Sequence, residues 1–390
     1  ETEPEYSAGD TVKITKATQF YAVRRKSNYY TVSYYLGNGS TNAAYQKLTQ
    51  TVEEGTVVTF AKVPARTGYV NQGWSSKKNS EKATAKAKCT VNKNITLYAV
   101  QKKAVQLTFH RCDGSTWQKT TLAKGSSYSL PGVRDAEGYT FMGWSTKPMQ
   151  SVSPQYEAEE KITVNGNVDL YAVVFNRTTE TDLTEDQLPQ VDIYKYKQVI
   201  FVGDSRTEFM ENVLTGMGES ATKNVKFVCS AGKGLDWFTT TGWAQLYSIV
   251  QHDSNSILSK KTAVIFNFGV NDLSKSADYA EYYNWIAPQL KSKGCELYFM
   301  SVNPVNRLML PNAGRADRSE AAVRSFNQYM KANLSSAYTY IDMYSYLKST
   351  GYSFASDHYG TGTVDDGLHY TTRTYKRIFA KCMDSLRVPA

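Results

Sequence analysis

An internal repeat divides the chain into a repetitive N-terminal half and a non-repetitive C-terminal half. The segment GYVNQGWS at 68–75 recurs as GYTFMGWS at 138–145, and the ending TVNKNITLYAV at 90–100 recurs as TVNGNVDLYAV at 163–173. Self-similarity at this spacing predicts two copies of one structural unit. The segment TVKITKATQFYAV at 11–23 resembles the same terminal hairpin. It predicts that residues 1–29 are the tail of an earlier copy and that the full protein extends upstream.

The composition of each copy predicts short β-strands. The copies are rich in Thr, Val, Tyr and Lys, alternate in polarity, and carry Gly or Asn where turns are expected. We interpret Trp74 and Trp144 as core residues, and the alternative, a platform that stacks on sugars, requires exposed rings. Through GYxxxGWS and LYAV, residues 1 to about 175 resemble the Listeria-Bacteroides repeat of bacterial surface proteins. The resemblance implies small all-β or β-grasp-like domains at 30–103 and 104–175 in a secreted or wall-associated bacterial protein.

The positive charge of the chain is concentrated in the repeats. The 390 residues have a formal net charge of +9, and residues 1–180 hold 23 Lys and Arg against 15 Asp and Glu. Diffuse positive charge favours anionic surfaces such as wall polymers, whereas nucleic-acid binding usually shows denser clusters, so we expect no nucleic-acid partner. The sequence contains no run of eighteen apolar residues, so it predicts no membrane span. The five cysteines lack metal-ligand spacing and are interpreted mostly as small buried residues, with one disulfide left open.

The C-terminal half has the pattern of an α/β domain. Residues 176–197 are polar and acidic and carry Pro189, which predicts a linker. From residue 198 to 390, apolar strand-like runs alternate with helical ones, as in domains with a mainly parallel sheet. The predicted strands are 199–202, 225–229, 263–268, 296–302 and 338–341. The clearest predicted helices are 277–293, 318–334 and 372–386.

The segment QVIFVGDSR at 198–206 predicts a hydroxyl where a strand meets a helix. Ser205 would lie at the carboxyl end of the sheet, where helix N-terminal amides favour developing negative charge. Asp366 can fold back across Gly367, accept the Nδ1 proton of His369 and leave Nε2 facing Ser205. Taken singly, Ser205 also fits a helix N-cap, and Asp366 with Gly367 fits an ordinary turn. Together these residues predict a nucleophile, its base and the residue that orients the base.

The remaining histidines are weaker candidates for the base. His110 is predicted to be a surface residue of a repeat strand, and His252 an exposed residue after a helical run. His358 lies in the loop before His369 and could line a site.

Donors for an oxyanion are predicted after two other strands. The side-chain amide of Asn271 follows the strand predicted at 263–268 and can reach the mouth of the sheet. Gly232, after the strand predicted at 225–229, could offer a backbone N–H without a side chain in the way, and Gly234 competes for that role.

These motifs, in this order, resemble the four sequence blocks of the SGNH/GDSL hydrolase family across nearly all of residues 198–390. The matching blocks are Gly203-Asp204-Ser205, Gly232, Gly269-x-Asn271-Asp272 and Asp366-x-x-His369. The resemblance implies that Ser205 is the nucleophile, His369 the base and Asp366 its orienter. It implies an oxyanion hole made by the N–H groups of Ser205 and Gly232 and the side chain of Asn271. It also implies a flavodoxin-like three-layer α/β/α sandwich and no metal or other cofactor.

Arg206 departs from the family pattern, in which Leu is frequent after the serine. We favour a structural role, in which Arg206 ties down the acidic turn or packs on the first helix. The alternative is that it adds positive charge near the pocket for an anionic substrate. The substrate-pocket candidates are Asp204, Arg206, Gly234, Trp237 and Tyr370.

The sequence as a whole predicts a secreted or cell-surface serine esterase that removes acetyl or similar short acyl groups from carbohydrate. The alternatives are a lipase or thioesterase, a sugar O-acyltransferase of the same family, or a non-catalytic surface adhesin. The intact set of site residues argues against the adhesin.

Overall fold

The computed structural model describes residues 3–24, 26–192, 195–252, 261–310, 317–356 and 365–386. Contacts divide the chain into two units, residues 1–106 with 121–126 and 164–166, and residues 107–120 with 127–163 and 167–390.

The first repeat is a small β-unit with one short helix. Its elements are β1 (Tyr29–Tyr35), α1 (Ala43–Gln46), β2 (Gln50–Glu53), β3 (Thr56–Thr59), β4 (Tyr69–Ser75), β5 (Lys88–Val91) and β6 (Ile95–His110). Strand β1 pairs antiparallel with β2 and parallel with β6, while β4 pairs antiparallel with β6 and β3 with β5. The alternating side chains of these strands bury Val32, Tyr34, Val58 and Leu97 in one core.

The second repeat has the same pairing scheme. Its further strands are β7 (Thr116–Ala123), β8 (Ser126–Ser129), β9 (Tyr139–Ser145), β10 (Lys161–Val164) and β11 (Val168–Asn176). The last residues of β6 pair parallel with β11, β11 pairs antiparallel with β9, and β8 pairs with β10. Each pairing has its counterpart in the first repeat, as expected of a duplicated unit.

The repeated tryptophans are core residues, as predicted. Trp74 is 6% exposed and Trp144 is fully buried. Their Nε1 atoms donate to the carbonyl oxygens of Ala61 at 2.6 Å and Pro131 at 2.8 Å, which lie thirteen residues earlier in both copies. An indole buried and hydrogen-bonded in this way is not available for stacking on a sugar, so that alternative is wrong.

The hairpin expected at 11–23 is not formed. Within residues 3–24 and 26–28, the described part before β1, no residue belongs to a strand. The side chains of Phe20 and Tyr21 are exposed. A lone two-stranded hairpin is at best marginally stable because it cannot bury its apolar face. The assignment of residues 1–29 to an earlier repeat stays a prediction.

The C-terminal domain is built on a five-stranded parallel sheet. Its strands are β12 (Tyr196–Gly203), β13 (Val225–Cys229), β14 (Lys261–Asn267), β15 (Cys295–Met300) and β16 (Tyr338–Ile341). They lie in the order β13-β12-β14-β15-β16, and every pairing is parallel. All five predicted strands are present, with ends that differ by at most three residues. This order is that of the flavodoxin-like fold.

Helices cover both faces of this sheet. They are α2 (Ser205–Met217), the single turn α3 (Leu235–Trp237), α4 (Trp243–His252), α5 (Ser276–Ser292), α6 (Glu320–Asn333), α7 (Met343–Thr350) and α8 (Thr372–Ser385). In β12, Ile200 and Val202 pack with residues of α4, α5 and α6, whereas Val199 and Phe201 pack with residues of α2, α7 and α8. Alternate side chains of one strand thus enter two cores, which gives the predicted three-layer α/β/α sandwich.

The second repeat shares a core with this sandwich. Met142, Val173 and Phe175 belong to the same buried cluster as residues of α2 and α8. Glu180, in the segment predicted to be a linker, is buried and accepts hydrogen bonds from the side chains of Ser353, Thr374 and Arg377. The segment is therefore fixed on the sandwich along part of its length. The domain boundaries themselves remain predictions.

No disulfide joins any of the five cysteines, all of which lie in the described part of the chain. Cys295 and Cys382 are buried, Cys89 and Cys229 are half-buried, and Cys112 is exposed. The interpretation as buried apolar residues therefore holds fully for two of them. Among the described helices, none is long and apolar enough to cross a lipid bilayer.

Candidate active site

Ser205 is the first residue of α2 and lies at the carboxyl end of the central strand. Strand β12 ends at Gly203, and Asp204 caps the helix by accepting the Arg206 N–H at 3.0 Å. Burial raises the pKa of the Asp204 carboxyl to about 6, even though the guanidinium of Arg206 acts in the opposite direction. Ser205 is 6% exposed. Its hydroxyl is therefore held in a confined position beside the N-terminal amides of the helix.

The structure brings His369 and Asp366 to Ser205. The Ser205 Oγ lies 3.0 Å from His369 Nε2, and His369 Nδ1 lies 2.7 Å from Asp366 Oδ2. Asp366 is fully buried and His369 nearly so. The ring of Phe209 packs on the imidazole with the two centroids 4.5 Å apart. Three segments distant in sequence thus form one continuous hydrogen-bonded chain from hydroxyl to carboxylate.

A tight turn holds the Asp366 carboxylate against the imidazole. Asp366 Oδ1 accepts the backbone N–H groups of Leu368 at 2.8 Å and His369 at 2.7 Å, which leaves Oδ2 for the ring. Gly367 has φ +66°, and a Cβ atom there would lie 2.4 Å from the Asn306 carbonyl oxygen. Both the dihedral angle and the close approach require glycine. This is the fold-back across Gly367 that the three-residue spacing predicts.

The loop after β13 lies beside the start of α2. Ser230 N–H donates to the Gly203 carbonyl at 3.3 Å, and Ala231 N–H donates to Glu208 Oε2 at 2.6 Å. Gly232 follows in this loop and is exposed, with open space where a Cβ atom would lie. Its backbone N–H is thus on an open stretch next to the helix that carries Ser205.

Gly234, the competing glycine, is required for packing. A Cβ atom on it would lie 2.3 Å from Asp272 Oδ2, an oxygen that also accepts the Leu235 N–H at 2.9 Å. The other oxygen of Asp272 accepts the hydroxyl of Tyr279 at 2.7 Å. Burial raises the pKa of the Asp272 carboxyl. Asp272 therefore ties the loop that contains both glycines to α5, and Gly232 is the better placed of the two to donate to a ligand.

The side chain of Asn271 is oriented by Arg318. Asn271 Nδ2 donates to the Lys233 carbonyl at 2.7 Å, and its Oδ1 accepts from Arg318 Nη2 at 2.5 Å. A guanidinium has only donors, so the amide oxygen must face it and the amide nitrogen must face the loop after β13. No sequence signal points to this role for Arg318, because 47 residues separate it from Asn271.

The other histidines are not brought to Ser205 by any described contact. His110 lies on β6, where Nε2 is 2.8 Å from Asp169 Oδ1 and the ring stacks on Tyr171 at 4.5 Å. It is a structural residue of the repeat sheet. His252 is the last residue of α4. His358 lies outside the described residues.

Comparison with known families assigns both halves of the chain. Residues 199–382 match the model of the GDSL-like lipase/acylhydrolase family, and residues 30–100 and 106–173 each match the Listeria-Bacteroides repeat domain. The C-terminal domain belongs to the GDSL-like lipase/acylhydrolase family. This family match makes the C-terminal domain an ester hydrolase domain, and the repeats before it are of a kind typical of extracellular proteins.

Individual similar proteins are distant. A protein of Evansella cellulosilytica, described as a Gly-rich membrane protein, is 27% identical over 169 residues, which are 43% of this chain and 18% of that protein. The match thus spans less than a fifth of the relative's length.

Solved structures with a similar chain include an acylhydrolase of Bacteroides fragilis, with 16% identity over 52% of this chain and 92% of that one and a TM-score of 0.33. An acetyl xylan esterase has 10% identity over 49% of this chain and 100% of that one, with a TM-score of 0.34. The catalytic domain of Streptococcus pneumoniae peptidoglycan O-acetyltransferase A has 17% identity over 49% of this chain and 92% of that one, with a TM-score of 0.30.

Arg206 serves the interior of the acylhydrolase domain. It is 3% exposed, and its guanidinium donates to the carbonyl oxygens of Leu368 at 3.0 Å, Asn303 at 2.9 Å and Pro304 at 2.9 Å. A buried cation with these partners is not available to an anionic substrate, so the geometry favours the tying role. The carbonyl of Leu368 is next to His369, so Arg206 also fixes the loop of the candidate base.

The two aromatic pocket candidates also belong to the core of the acylhydrolase domain. Tyr370 is buried, donates its hydroxyl to Pro304 at 2.5 Å and stacks on Phe354. Trp237 is half-buried and packs on Phe268, with ring centroids 6.0 Å apart. The ring of Tyr370 therefore provides no stacking surface for a substrate, whereas Trp237 leaves part of its ring exposed.

Proposed function

We propose that this protein is a secreted serine esterase that hydrolyses short acyl esters of carbohydrate, acetyl esters above all, with Ser205, His369 and Asp366 as its catalytic residues. The observation that carries the proposal is the pair of contacts described above, 3.0 Å from the Ser205 hydroxyl to the imidazole and 2.7 Å from the imidazole to the carboxylate. These are the contacts that a general base needs to a nucleophile and to the group that orients it.

The proposed reaction proceeds in two steps. In the first, His369 Nε2 takes the hydroxyl proton while Ser205 Oγ bonds to the acyl carbon, and the tetrahedral intermediate then expels the alcohol, which receives that proton. In the second, His369 takes a proton from water, the resulting hydroxide attacks the acyl-enzyme, and Ser205 leaves with the proton. Asp366 accepts a hydrogen bond from the Nδ1–H group of His369 and stabilises the imidazolium without taking the proton.

The oxyanion of each tetrahedral intermediate would be stabilised by the N–H groups of Ser205 and Gly232 and by Asn271 Nδ2. The contact between Asn271 and Arg318 supports this assignment, because it keeps the amide nitrogen on the side of the Gly232 loop. An amide nitrogen carries two hydrogens, and the bond to the Lys233 carbonyl uses one of them. The second hydrogen is then left to donate to the oxyanion.

The surroundings of Ser205 support a small acyl group on a polar alcohol. Ala231, Gly232 and Lys233 are exposed, and Asn271 beside them is only half-buried. A polar, open rim suits a hydroxyl-rich alcohol better than a long acyl chain, which needs a deep apolar cleft. Tyr370 does not contribute to this argument, since it is buried, and Trp237 packs on the core with only part of its ring exposed. The repeats and their positive charge support a location at an anionic cell wall.

The test compares two variants of the proposed catalytic residues with one control variant. Ser205→Ala and His369→Ala should lower the turnover of 4-nitrophenyl acetate by several orders of magnitude with little change in KM, because both groups act in the transition state. His110→Ala is the matched control: it removes a histidine that also lies 2.8 Å from a carboxylate, and it should keep wild-type turnover. Wild-type turnover by Ser205→Ala would contradict the proposal.

Acetate release from acetylated polysaccharides tests the substrate class. Faster hydrolysis of 4-nitrophenyl palmitate than of the acetate would favour a lipase instead. Transfer of the acyl group to an added oligosaccharide, in preference to water, would favour an acyltransferase acting through the same acyl-enzyme.

A further inference from the structure

Residues 365–369, which carry the proposed catalytic residues Asp366 and His369 and are called the catalytic loop below, are held from two sides. Asp365 directly precedes Asp366 and is also fully buried. Its Oδ1 accepts the Gly367 N–H at 3.1 Å, within the loop, whereas its Oδ2 accepts from Arg177 Nη2 at 2.6 Å. Arg177 lies just after β11, at the end of the second repeat. The carboxylates of these two neighbouring residues therefore have different partners: Asp366 contacts the imidazole of His369, and Asp365 contacts Arg177 of the second repeat.

Arg177 is itself fixed by the second repeat. Its Nη2 also donates to Asp135 Oδ2 at 2.8 Å, and its Nε donates to Thr140 Oγ1 at 2.9 Å. The Thr140 hydroxyl in turn donates to the Tyr352 carbonyl at 2.8 Å. We call Asp135, Thr140 and Arg177 the repeat clamp. Every member makes a directional contact, so the guanidinium reaches Asp365 in one defined position.

A second connection runs through Asn306. Its Nδ2 donates to Asp135 Oδ1 at 2.9 Å and to the Val133 carbonyl at 3.0 Å, both in the second repeat. Its backbone N–H donates to the Gly367 carbonyl at 2.8 Å, in the middle of the catalytic loop. Asp135 thus reaches the loop twice, once through Arg177 and Asp365 and once through Asn306.

The repeat clamp distinguishes the second repeat from the first. When the two copies are aligned on their GYxxxGWS and LYAV segments, Asp135 corresponds to Ala65, Thr140 to Val70 and Arg177 to Ala104. The first copy therefore has the fold of the unit without the polar groups of the clamp. These three residues are not needed to build a repeat, so their presence in the second copy requires another explanation.

We propose that the repeat clamp positions the catalytic loop, so that the second repeat is a working part of the esterase and not only a surface module. Asp135, Thr140 and Arg177 are positioning residues: they act on His369 through Asp365 and Gly367 and touch no reacting atom. The proposal rests on the catalytic roles proposed above for Ser205, Asp366 and His369. A displacement of about 1 Å at a catalytic group can lower the rate on the order of a hundredfold, so anchoring this loop has a direct kinetic consequence.

A neighbouring buried ion cluster provides the control. Lys348, on α7, donates to the Met142 carbonyl at 3.0 Å and pairs with Glu157 at 3.1 Å and Glu320 at 2.5 Å. Glu157 and Met142 belong to the second repeat, so this cluster also joins the repeat to the acylhydrolase domain. It has no described hydrogen bond to residues 365–369. Glu157→Gln should therefore weaken the same junction without loosening the catalytic loop.

The experiment measures the reactivity of Ser205 in the full chain. Turnover of 4-nitrophenyl acetate and the rate of inactivation by phenylmethylsulfonyl fluoride are compared for the wild type, Arg177→Met, Arg177→Lys and Glu157→Gln. Each is assayed well below its thermal midpoint. We expect Arg177→Met to lower kcat and the inactivation rate by about 10- to 100-fold, with KM changed less than about twofold. Arg177→Lys should recover part of the loss, and Glu157→Gln should keep kcat despite a lowered midpoint.

Asp135→Asn is the second variant in case Arg177→Met does not fold, and it should show a smaller loss in the same two rates. Wild-type kcat in the folded clamp variants would overturn the proposal, and so would equal losses in Glu157→Gln and Arg177→Met, since a general weakening of the junction would then explain both. Full activity of Ser205→Ala would instead refute the proposed function, and the positioning role with it.

Discussion

Arg206→Leu is the substitution for which the structure predicts the most definite outcome. The family pattern favours leucine at this position, so the change is mild by sequence. By structure it is severe, because it removes three hydrogen bonds from a buried cation to the carbonyl oxygens of Leu368, Asn303 and Pro304. It leaves those carbonyls without that donor. It also removes the guanidinium that favours the ionised form of Asp204.

The expected cost follows from these contacts. A hydrogen bond to a charged group contributes about 1.5 kcal/mol or more, and an orphaned buried carbonyl adds a desolvation penalty. Three such bonds, less the apolar burial that the leucine recovers, give a loss of about 3 to 5 kcal/mol in the free energy of unfolding. Small domains have a total stability of about 5 to 15 kcal/mol. The acylhydrolase domain of the variant should therefore remain folded only near the temperature and pH of its maximum stability.

Two assays separate the structural role from a substrate-binding role. Urea unfolding followed by circular dichroism measures the stability loss, and Arg206→Lys, which keeps the charge but not the planar fork, should recover only part of it. Esterase assays with 4-nitrophenyl acetate and the anionic 4-nitrophenyl hemisuccinate measure the kinetic effect. We expect equal losses of kcat/KM for the two esters. A stability change below about 1 kcal/mol, or a loss confined to the anionic ester, would refute the reasoning.

Three further outcomes are expected. Arg318→Met should lower kcat but by less than Asn271→Ala, for which we expect about a hundredfold; a larger effect than that of Asn271→Ala would contradict an orienting role. Burial and the Asp365 carboxyl raise the pKa of Asp135 from 3.8 to about 7. Between these two values the native state binds more protons than the unfolded state, so stability falls as the pH rises towards 7. Asp135→Asn should reduce this decrease in the free energy of unfolding, measured by urea unfolding at pH 5, 6 and 7. An unchanged decrease would contradict the assignment of the raised pKa to Asp135. Trp144→Phe removes the buried indole donor from the half-buried Pro131 carbonyl. It should lower the unfolding free energy by about 1 to 3 kcal/mol, measured by urea unfolding, and no change would mean that the bond is unimportant.

Signals that are local in sequence predict the architecture well. An uninterrupted apolar run followed by Gly203 specifies a buried strand and its end, and Asp204 and Ser205 then provide a cap and the first helical residue. The contact between Asp366 and His369 is predictable for the same reason, since three residues and one glycine fix its geometry. The three predicted helices are also present, with ends that differ by one or two residues.

Contacts between segments distant in sequence are not predictable in this way. The helical pattern puts Arg318 only at the start of a predicted helix, yet this residue orients an amide 47 residues earlier. The sequence suggests that Arg206 ties down the acidic turn beside it, whereas in the structure its guanidinium donates to three carbonyl oxygens 97 to 162 residues away. Neither set has a periodicity or a spacing that a single sequence could reveal. A charged side chain is ordinarily expected to face solvent, and these two are buried because loops from elsewhere present carbonyl and amide groups to them.

The similarity of the two repeats conceals the difference that matters most between them. Periodicity alone treats residues 30–103 and 104–175 as equivalent modules, and the shared tryptophans and pairing scheme support that view of the fold. The positions at which the copies diverge give the opposite view of their roles. Met142 and Phe175 correspond to Gln72 and Lys102 of the first copy, and both pack in the core of the acylhydrolase domain. An apolar residue at such a position is costly on an isolated module because it would face water. The second copy is thus apolar where the first is polar at two positions and charged where the first has alanine at two others, and these differences fit it to the acylhydrolase domain.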